Sequence, residues 1–178
     1  MKCPRCNTPD LLPTMIEESL PAMGCDNCHG SLVSLLHYRY WAENQKPTSP
    51  PTGDVAIPDT PDTANAIRCP KCDRIMMKYK MTGNVANRID VCTTCDESWL
   101  DGGEWELLEA LQLSTKMPSV FTDAWQRRIR REMSQDTRRA VLVRKIGEDG
   151  TRRVEEFKSW LDGTDHRSDI MAHLYRKS

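Results

Sequence analysis

The sequence predicts a small α+β fold organised around clusters of cysteine, followed by a helical tail, and three observations predict it. All eight cysteines fall into four Cys-x-x-Cys pairs: Cys3/Cys6, Cys25/Cys28, Cys69/Cys72 and Cys92/Cys95. The pairs make two copies of one pattern, each opening on Cys-Pro-basic-Cys and closing on a second pair 18 or 19 residues later. Beyond residue 113 the composition changes, and apolar residues recur at helical spacing.

The two sulfurs of a Cys-x-x-Cys turn converge on one side of the backbone and supply two corners of a tetrahedron. Two such turns carried side by side on a β-hairpin complete the shell. Four thiolates at about 2.3 Å satisfy Zn²⁺, and the spacing is that of a zinc site, so two Zn²⁺ per chain are expected, held by all eight cysteines. Soft sulfur ligands also suit iron, and an iron or thiol redox protein is the alternative from the enzyme class. Disulfides would explain an even cysteine count in a secreted scaffold. Cys3 leaves no room for a signal peptide ahead of it and no apolar run is long enough to span a membrane, so a reducing cytoplasm is expected.

Length and composition agree with metal-nucleated modules. The chain has 178 residues, 38% hydrophobic and 29% charged, with two Phe, a weak basis for one large core. Structural zinc contributes an apparent ~10 to 16 kcal/mol at neutral pH. The net charge of −1 conceals an asymmetry: residues 1–113 carry 10 Lys/Arg against 16 Asp/Glu, and residues 114–178 carry 15 against 10.

Four segments follow in order. Residues 1–45 form the first cysteine module. Residues 46–66 hold five prolines among Thr, Ser and Asp and read as an extended linker. Residues 67–113 form the second module. There, Ile75 to Met81 and Val85 to Val91 flank Thr82-Gly83-Asn84 and predict a hairpin. After Cys95, Asp101 and Glu104 stand as the members of a capping box, and Leu100 and Trp105 as a hydrophobic staple, so a short helix begins there. Laid on this segment without a gap, Cys25 falls on Cys92, Leu32 on Trp99, Val33 on Leu100, Ser34 on Asp101, His37 on Glu104 and Tyr38 on Trp105. The repeat therefore extends into the following helix. Its first copy, Leu35 to Trp41, is the more aromatic and points to a packing or contact role.

The run Cys69-Pro-Lys-Cys72, a hairpin, then Ile89-Asp-Val-Cys-Thr-Thr-Cys-Asp-Glu-Ser-Trp-Leu-Asp-Gly-Gly-Glu104 resembles the bacterial zinc-ribbon family named for its similarity to the zinc ribbon of transcription factor IIB. The resemblance is strong over about 45 residues of the second module and extends in the first only to the cysteines, Gly30 and Ser34. Asp96 and Glu97 replace the family's usual glycine pair after the last ligand. The resemblance implies a zinc-binding ribbon of the type found in transcription and translation machinery, in a family mostly of unassigned function, and does not imply an enzyme.

Residues 114–178 form the helical, Arg-rich C-terminal region. Phe121, Trp125, Ile129 and Met133 make an apolar stripe on a helix over about 119–134. Arg127, Arg128, Arg130, Arg131, Arg138, Arg139, Arg144 and Lys145 give 127–145 eight basic residues against Glu132 and Asp136. Arginine suits phosphate, so these eight are the candidate nucleic-acid contacts; a solvated helix face is the plain alternative. Val154, Phe157, Trp160 and Leu161, then Ile170, Met171, Leu174 and Tyr175, continue at helical spacing. They allow docking on a protein partner or a homodimer. No catalytic residue is expected: four thiolates leave a zinc ion no open position, and no paired acidic motif, phosphate loop or nucleophile turn occurs. His29, His37, His166 and His173 lack the company a metal site needs. Neither a membrane nor a small-molecule substrate is indicated.

Overall fold

The computed structural model describes residues 1–7, 10–45 and 62–176. Most of the expected linker, residues 46–61, lies outside them. Six strands and five helices follow in order: β1 (Leu12–Glu17), β2 (Leu20–Gly24), β3 (Ser31–Ser34), α1 (Leu35–Glu43), β4 (Met77–Lys80), β5 (Arg88–Cys92), β6 (Glu97–Leu100), α2 (Glu104–Ala110), α3 (Met117–Val120), α4 (Asp123–Asp162) and α5 (Arg167–Tyr175). The chain divides into two compact units, Met1–Arg130 and Arg131–Ser178.

In the first unit each cysteine module supplies three antiparallel strands, and the modules share one six-stranded sheet of order β1-β2-β3-β6-β5-β4. The seam is β3 against β6, with Ser31 opposite Leu100, Leu32 opposite Trp99, Val33 opposite Ser98 and Ser34 opposite Glu97. This register is isologous. Under the sequence repeat, Leu32 is the counterpart of Trp99, Val33 of Leu100 and Ser31 of Ser98. Ser31 thus faces Leu100 while their counterparts Ser98 and Val33 face each other, and Leu32 faces its own counterpart, as across a two-fold axis between subunits. The axis passes through the Leu32–Trp99 pair. Two cysteine modules that the proline-rich stretch separates in sequence are fused into an internal dimer.

Alternation along the strands places two cores on the two faces. Leu32 and Trp99 point to the cysteine face, where Cys3, Leu11, Cys25, Ile67, Cys69, Met76 and Cys92 surround them. Val33 and Leu100 point to the opposite face, into a larger core shared with α1, α2 and α3. Both clusters of thiols thus lie on one side of the sheet and the helices on the other. Two glycines permit close approaches at the seam. A Cβ on Gly30 would stand 2.3 Å from Trp99 Cζ2, and one on Gly102 would stand 2.7 Å from the Cys28 carbonyl oxygen.

The aromatic helix α1 belongs to this core. Leu35, Tyr38 and Trp41 are buried, while Leu36 and Tyr40 remain exposed. Trp41 meets Trp105, the repeat counterpart of Tyr38, edge-on, with ring centroids 5.3 Å apart. The Tyr38 hydroxyl donates to the Ser114 carbonyl (2.6 Å) and accepts from the Met117 amide (3.0 Å). Burial raises its pKa to about 12.

The start of α2 differs from the expected capping box. Gly103, at φ 87°, is the N-cap, and no side chain caps the helix. The Glu104 carboxylate does reach back to the Asp101 amide (2.9 Å), as the reciprocal half of a box would. Asp101 is engaged elsewhere: its oxygens accept from Trp99 Nε1 (3.0 Å) and from the Thr63 amide (2.7 Å). Ser34 is the N-cap of α1 as expected, again without a side-chain bond.

The apolar stripe of the early tail is also divided. A short α3 precedes α4, Phe121 packs on Tyr79, Trp125 is half-buried with Nε1 donating to the Met81 carbonyl (2.9 Å), and Ile129 is buried. Trp125, a member of that stripe, is therefore fixed on the second module. In the second unit Gly147 alone leaves the helical conformation (φ 75°), after which the helix resumes. Arg139 pairs with both Glu148 and Glu155. Over 16 residues a straight helix would separate those ends by about 24 Å, so the helix folds back at Gly147 as a hairpin.

Candidate metal centres

Cys3, Cys6, Cys25 and Cys28 form one group, and Cys69, Cys72, Cys92 and Cys95 the other, with all sulfurs of each within 4.8 Å of one another. In each group two cysteines are buried and two partly exposed. The Cys3–Cys28 and Cys72–Cys92 sulfurs are 3.6 Å apart. A tetrahedron with about 2.3 Å bonds places its corners roughly 3.8 Å apart. Each group can therefore hold one metal ion by closing only slightly around it.

The backbone explains how the sulfurs converge. Every Cys-x-x-Cys turn is followed by a residue in the left-handed region: Asn7 (φ 59°), His29 (φ 56°), Asp73 (φ 58°) and Asp96 (φ 56°). In three turns the amide of that residue donates to the first cysteine's carbonyl, Asn7 to Cys3, His29 to Cys25 and Asp73 to Cys69, at 2.8 to 2.9 Å. Asn and Asp tolerate this conformation better than most residues. That accounts for Asp96 where the resembled family has glycine. Three of the four positions carry Asn or Asp, a signal in the sequence that the cysteine count overshadowed.

Further donors face the sulfurs. The Cys6 amide donates to Cys3 Sγ (3.3 Å) and Asn27 Nδ2 to Cys6 Sγ (3.2 Å). A hydrogen bond from the Arg74 amide leads the effects that bring the Cys72 thiol down to about 7. At Cys25, burial opposes ionisation but is outweighed by the Cys28 and Asn27 amides, and the thiol also falls to about 7. Hydrogen bonding to Cys72 drives Cys95 up to about 12, and burial raises Cys3, Cys28 and Cys69. Four thiols this close ionise together only with a cation among them, so the donor set suits a metal. Lys71 pairs with the buried Glu97 within the second module, and Arg39 of the first pairs with Asp96 at 2.6 Å, tying the first module to the second one's closing turn.

Asp62, Asp101 and Glu104 form a third group of close carboxylates. Its oxygens are already taken. Asp62 accepts from the Arg88 amide (3.1 Å), Asp101 from Trp99 and Thr63, and Glu104 from the Asp101 amide and Asn87 Nδ2 (3.3 Å). It is a structural network that anchors the end of the linker to the second ribbon. Burial, with the Asp101 charge beside it, raises Glu104 to about 8. The folded state thus holds a proton that the unfolded state releases near 4.5. This contribution to stability is complete below 4.5 and is lost as pH rises through 8. In urea unfolding at saturating metal between pH 6 and 9, Glu104→Gln is expected to flatten that decline by about 1 to 3 kcal/mol.

The candidate nucleic-acid residues are dispersed along α4. Arg127, Arg130, Arg131, Arg138, Arg144 and Lys145 are exposed and make no ion pair among the described residues. Arg128 lies over the Trp125 ring at 4.1 Å, and Arg139 is neutralised by Glu148 and Glu155. His37, His166 and His173 join no metal group among the described residues, and no described helix is long and apolar enough to cross a membrane. Compared with protein-family models, curated proteins and solved structures, the chain matches none.

Proposed function

We propose that the chain is a non-enzymatic zinc protein whose fused ribbons are a rigid scaffold and whose C-terminal helices bind nucleic acid, in a transcription-associated role. The sulfur-only donor sets favour zinc, and four thiolates per ion close each site to substrate. Thiolate shells around divalent ions carry about −2 each, which adds to an already acidic ribbon region. A polyanion is therefore met by the tail. The observation that carries the reading is the row Arg131, Arg138 and Lys145, seven residues apart on one helix, exposed and without ion pairs among the described residues. The row spans about 21 Å.

Binding of the full chain to duplex DNA and single-stranded RNA across a salt series tests this. Changing Arg131, Arg138 and Lys145 together to Gln is expected to reduce the logarithmic salt slope by about 2 to 3. Salt-insensitive or absent binding by the unaltered chain would defeat the proposal. Two colourless zinc ions per chain are expected on metal analysis, and a coloured iron protein would favour the redox alternative. A second reading, a protein partner or homodimer, draws on the exposed Val154, Phe157 and Trp160, the last two in tilted ring contact with centroids 5.5 Å apart.

A further inference from the structure

The two ribbons are counterparts, yet their outer edges are closed differently. On the second ribbon α4 seals β4. The Gln126 carboxamide accepts from the Lys80 amide (3.4 Å) and donates to the Lys80 carbonyl (2.9 Å), and Trp125 Nε1 bonds the Met81 carbonyl. The counterpart of Lys80 on the first ribbon is Met15. Lys80 pairs with Arg88, Met15 pairs with Pro21, and Pro21 stands where the repeat places Arg88. Proline has no N–H, so Met15 and Pro21 do not exchange a pair of main-chain bonds, and the amide and carbonyl of Met15 point away from β2. Alternation turns Pro13 outward too, where its missing N–H costs nothing. The N-terminal residues cover the approach to this edge, where the Leu11 amide donates to the Met1 carbonyl (2.7 Å), but among the described residues no side chain or loop bonds the main chain of Met15 as Gln126 bonds that of Lys80.

The surroundings of the open edge have a definite chemistry. Leu12 and Met15 are each about half exposed. Two adjoining cavities of about 220 and 280 Å³ share Thr14, His29 and Ser31 as walls. Between Arg5 and Arg39 there is no lysine or arginine; of the acids in that span Asp10 pairs with the N-terminal ammonium (3.0 Å) and Glu17 accepts from Trp105 Nε1 (3.1 Å), while Glu18 and Asp26 are exposed without an ion pair among the described residues. The edge is apolar with an acidic border. We propose that β1 is a docking edge for an extended segment of a partner protein in which apolar residues alternate with Lys or Arg, added to the sheet as a further strand. An unpaired edge offers main-chain bonds to such a segment, and opposite charges across neighbouring strands add to them. The chain's own basic cluster is not the occupant, since Arg127 to Lys145 lie within a helix whose main chain is already bonded. The proposal is independent of nucleic-acid binding by the tail.

The test uses the metal-loaded full chain, NMR detection of backbone amides, and two short peptides, one alternating valine with lysine and one alternating valine with glutamate. The lysine peptide is expected to shift the resonances of β1 and protect the Met15 amide from exchange, and the glutamate peptide to do neither. Met15→Pro removes an amide the ladder does not use and is expected to weaken binding about tenfold, the loss of roughly one main-chain bond. Glu18→Lys, at an exposed site, is expected to weaken it as well and serves as the readout should Met15→Pro disturb folding. Equal binding of both peptides, shifts confined to other strands or helices, or undiminished binding by a folded Met15→Pro chain would overturn the proposal. So would concentration-dependent protection of Met15 without peptide, which would make a second copy the occupant.

Discussion

Cys92→Ser is expected to unfold both ribbons, although it touches the ligands of one. Cys92 is buried and ends β5, the strand that β6 joins to the seam with β3. Loss of one thiolate removes the second metal and with it an apparent contribution on the order of 10 kcal/mol, comparable to the whole stability of a domain. Independent modules on a linker would leave the first ribbon intact. Here Cys3 and Cys25 share a core with Cys69, Cys92 and Trp99, and β3 has β6 as its neighbour. Exchange protection of β1 to β3 amides should therefore fall together with that of β4 to β6, and bound metal should drop below one equivalent. Retained protection over Leu20–Gly24 with one tightly bound metal would show that the seam does not couple the ribbons. Chelation of both metals is expected to give the same collapse in a single transition.

Local features were legible in the sequence because each rests on neighbours in the chain. The cysteine groups follow from turns closed within five residues, and α1 and α2 from short apolar periods ending near Trp41 and Leu108. The seam was not legible. Ser31 to Ser34 and Glu97 to Leu100 are four-residue strands, too short for an alternation signal, and their pairing spans more than 60 positions across a proline-rich stretch. The repeat did hold the information, since a strand that pairs isologously must appear in both copies, but a repeat is equally consistent with separate beads. Asp101 departs from its expected cap for a related reason: Thr63 donates to it from 38 residues away, and the Trp99 indole, though only two residues away, is aimed at it by its burial at the seam, so both oxygens are engaged outside the helix start. The partner of the Trp125 stripe position was not legible either, because the main-chain edge it closes, at Met81, lies 44 residues away.

Trp99→Ala is expected to be the most damaging substitution outside the cysteines. Trp99 is fully buried at the axis, opposite Leu32, with its ring over Gly30 and its Nε1 bonded to Asp101. Truncating a buried Trp costs about 3 to 5 kcal/mol, which corresponds to a fall of roughly 10 to 15 °C in Tm for a chain of this size. Trp99→Phe keeps a ring, loses the N–H, and should cost about 1 to 3 kcal/mol through the partner it leaves at Asp101. Gly30→Ala isolates the close approach. Its Cβ would fall 2.3 Å from Trp99 Cζ2 and 3.0 Å from the Leu100 carbonyl oxygen, so the indole must move and the seam with it. In the Trp99→Ala background the first of those clashes is gone. The cost of Gly30→Ala should then shrink, giving a coupling of about 1 to 3 kcal/mol in a double-mutant cycle. Additive effects would mean that Gly30 is required by the carbonyl of Leu100 rather than by the indole, and that the ring is not what sets how closely the two ribbons approach.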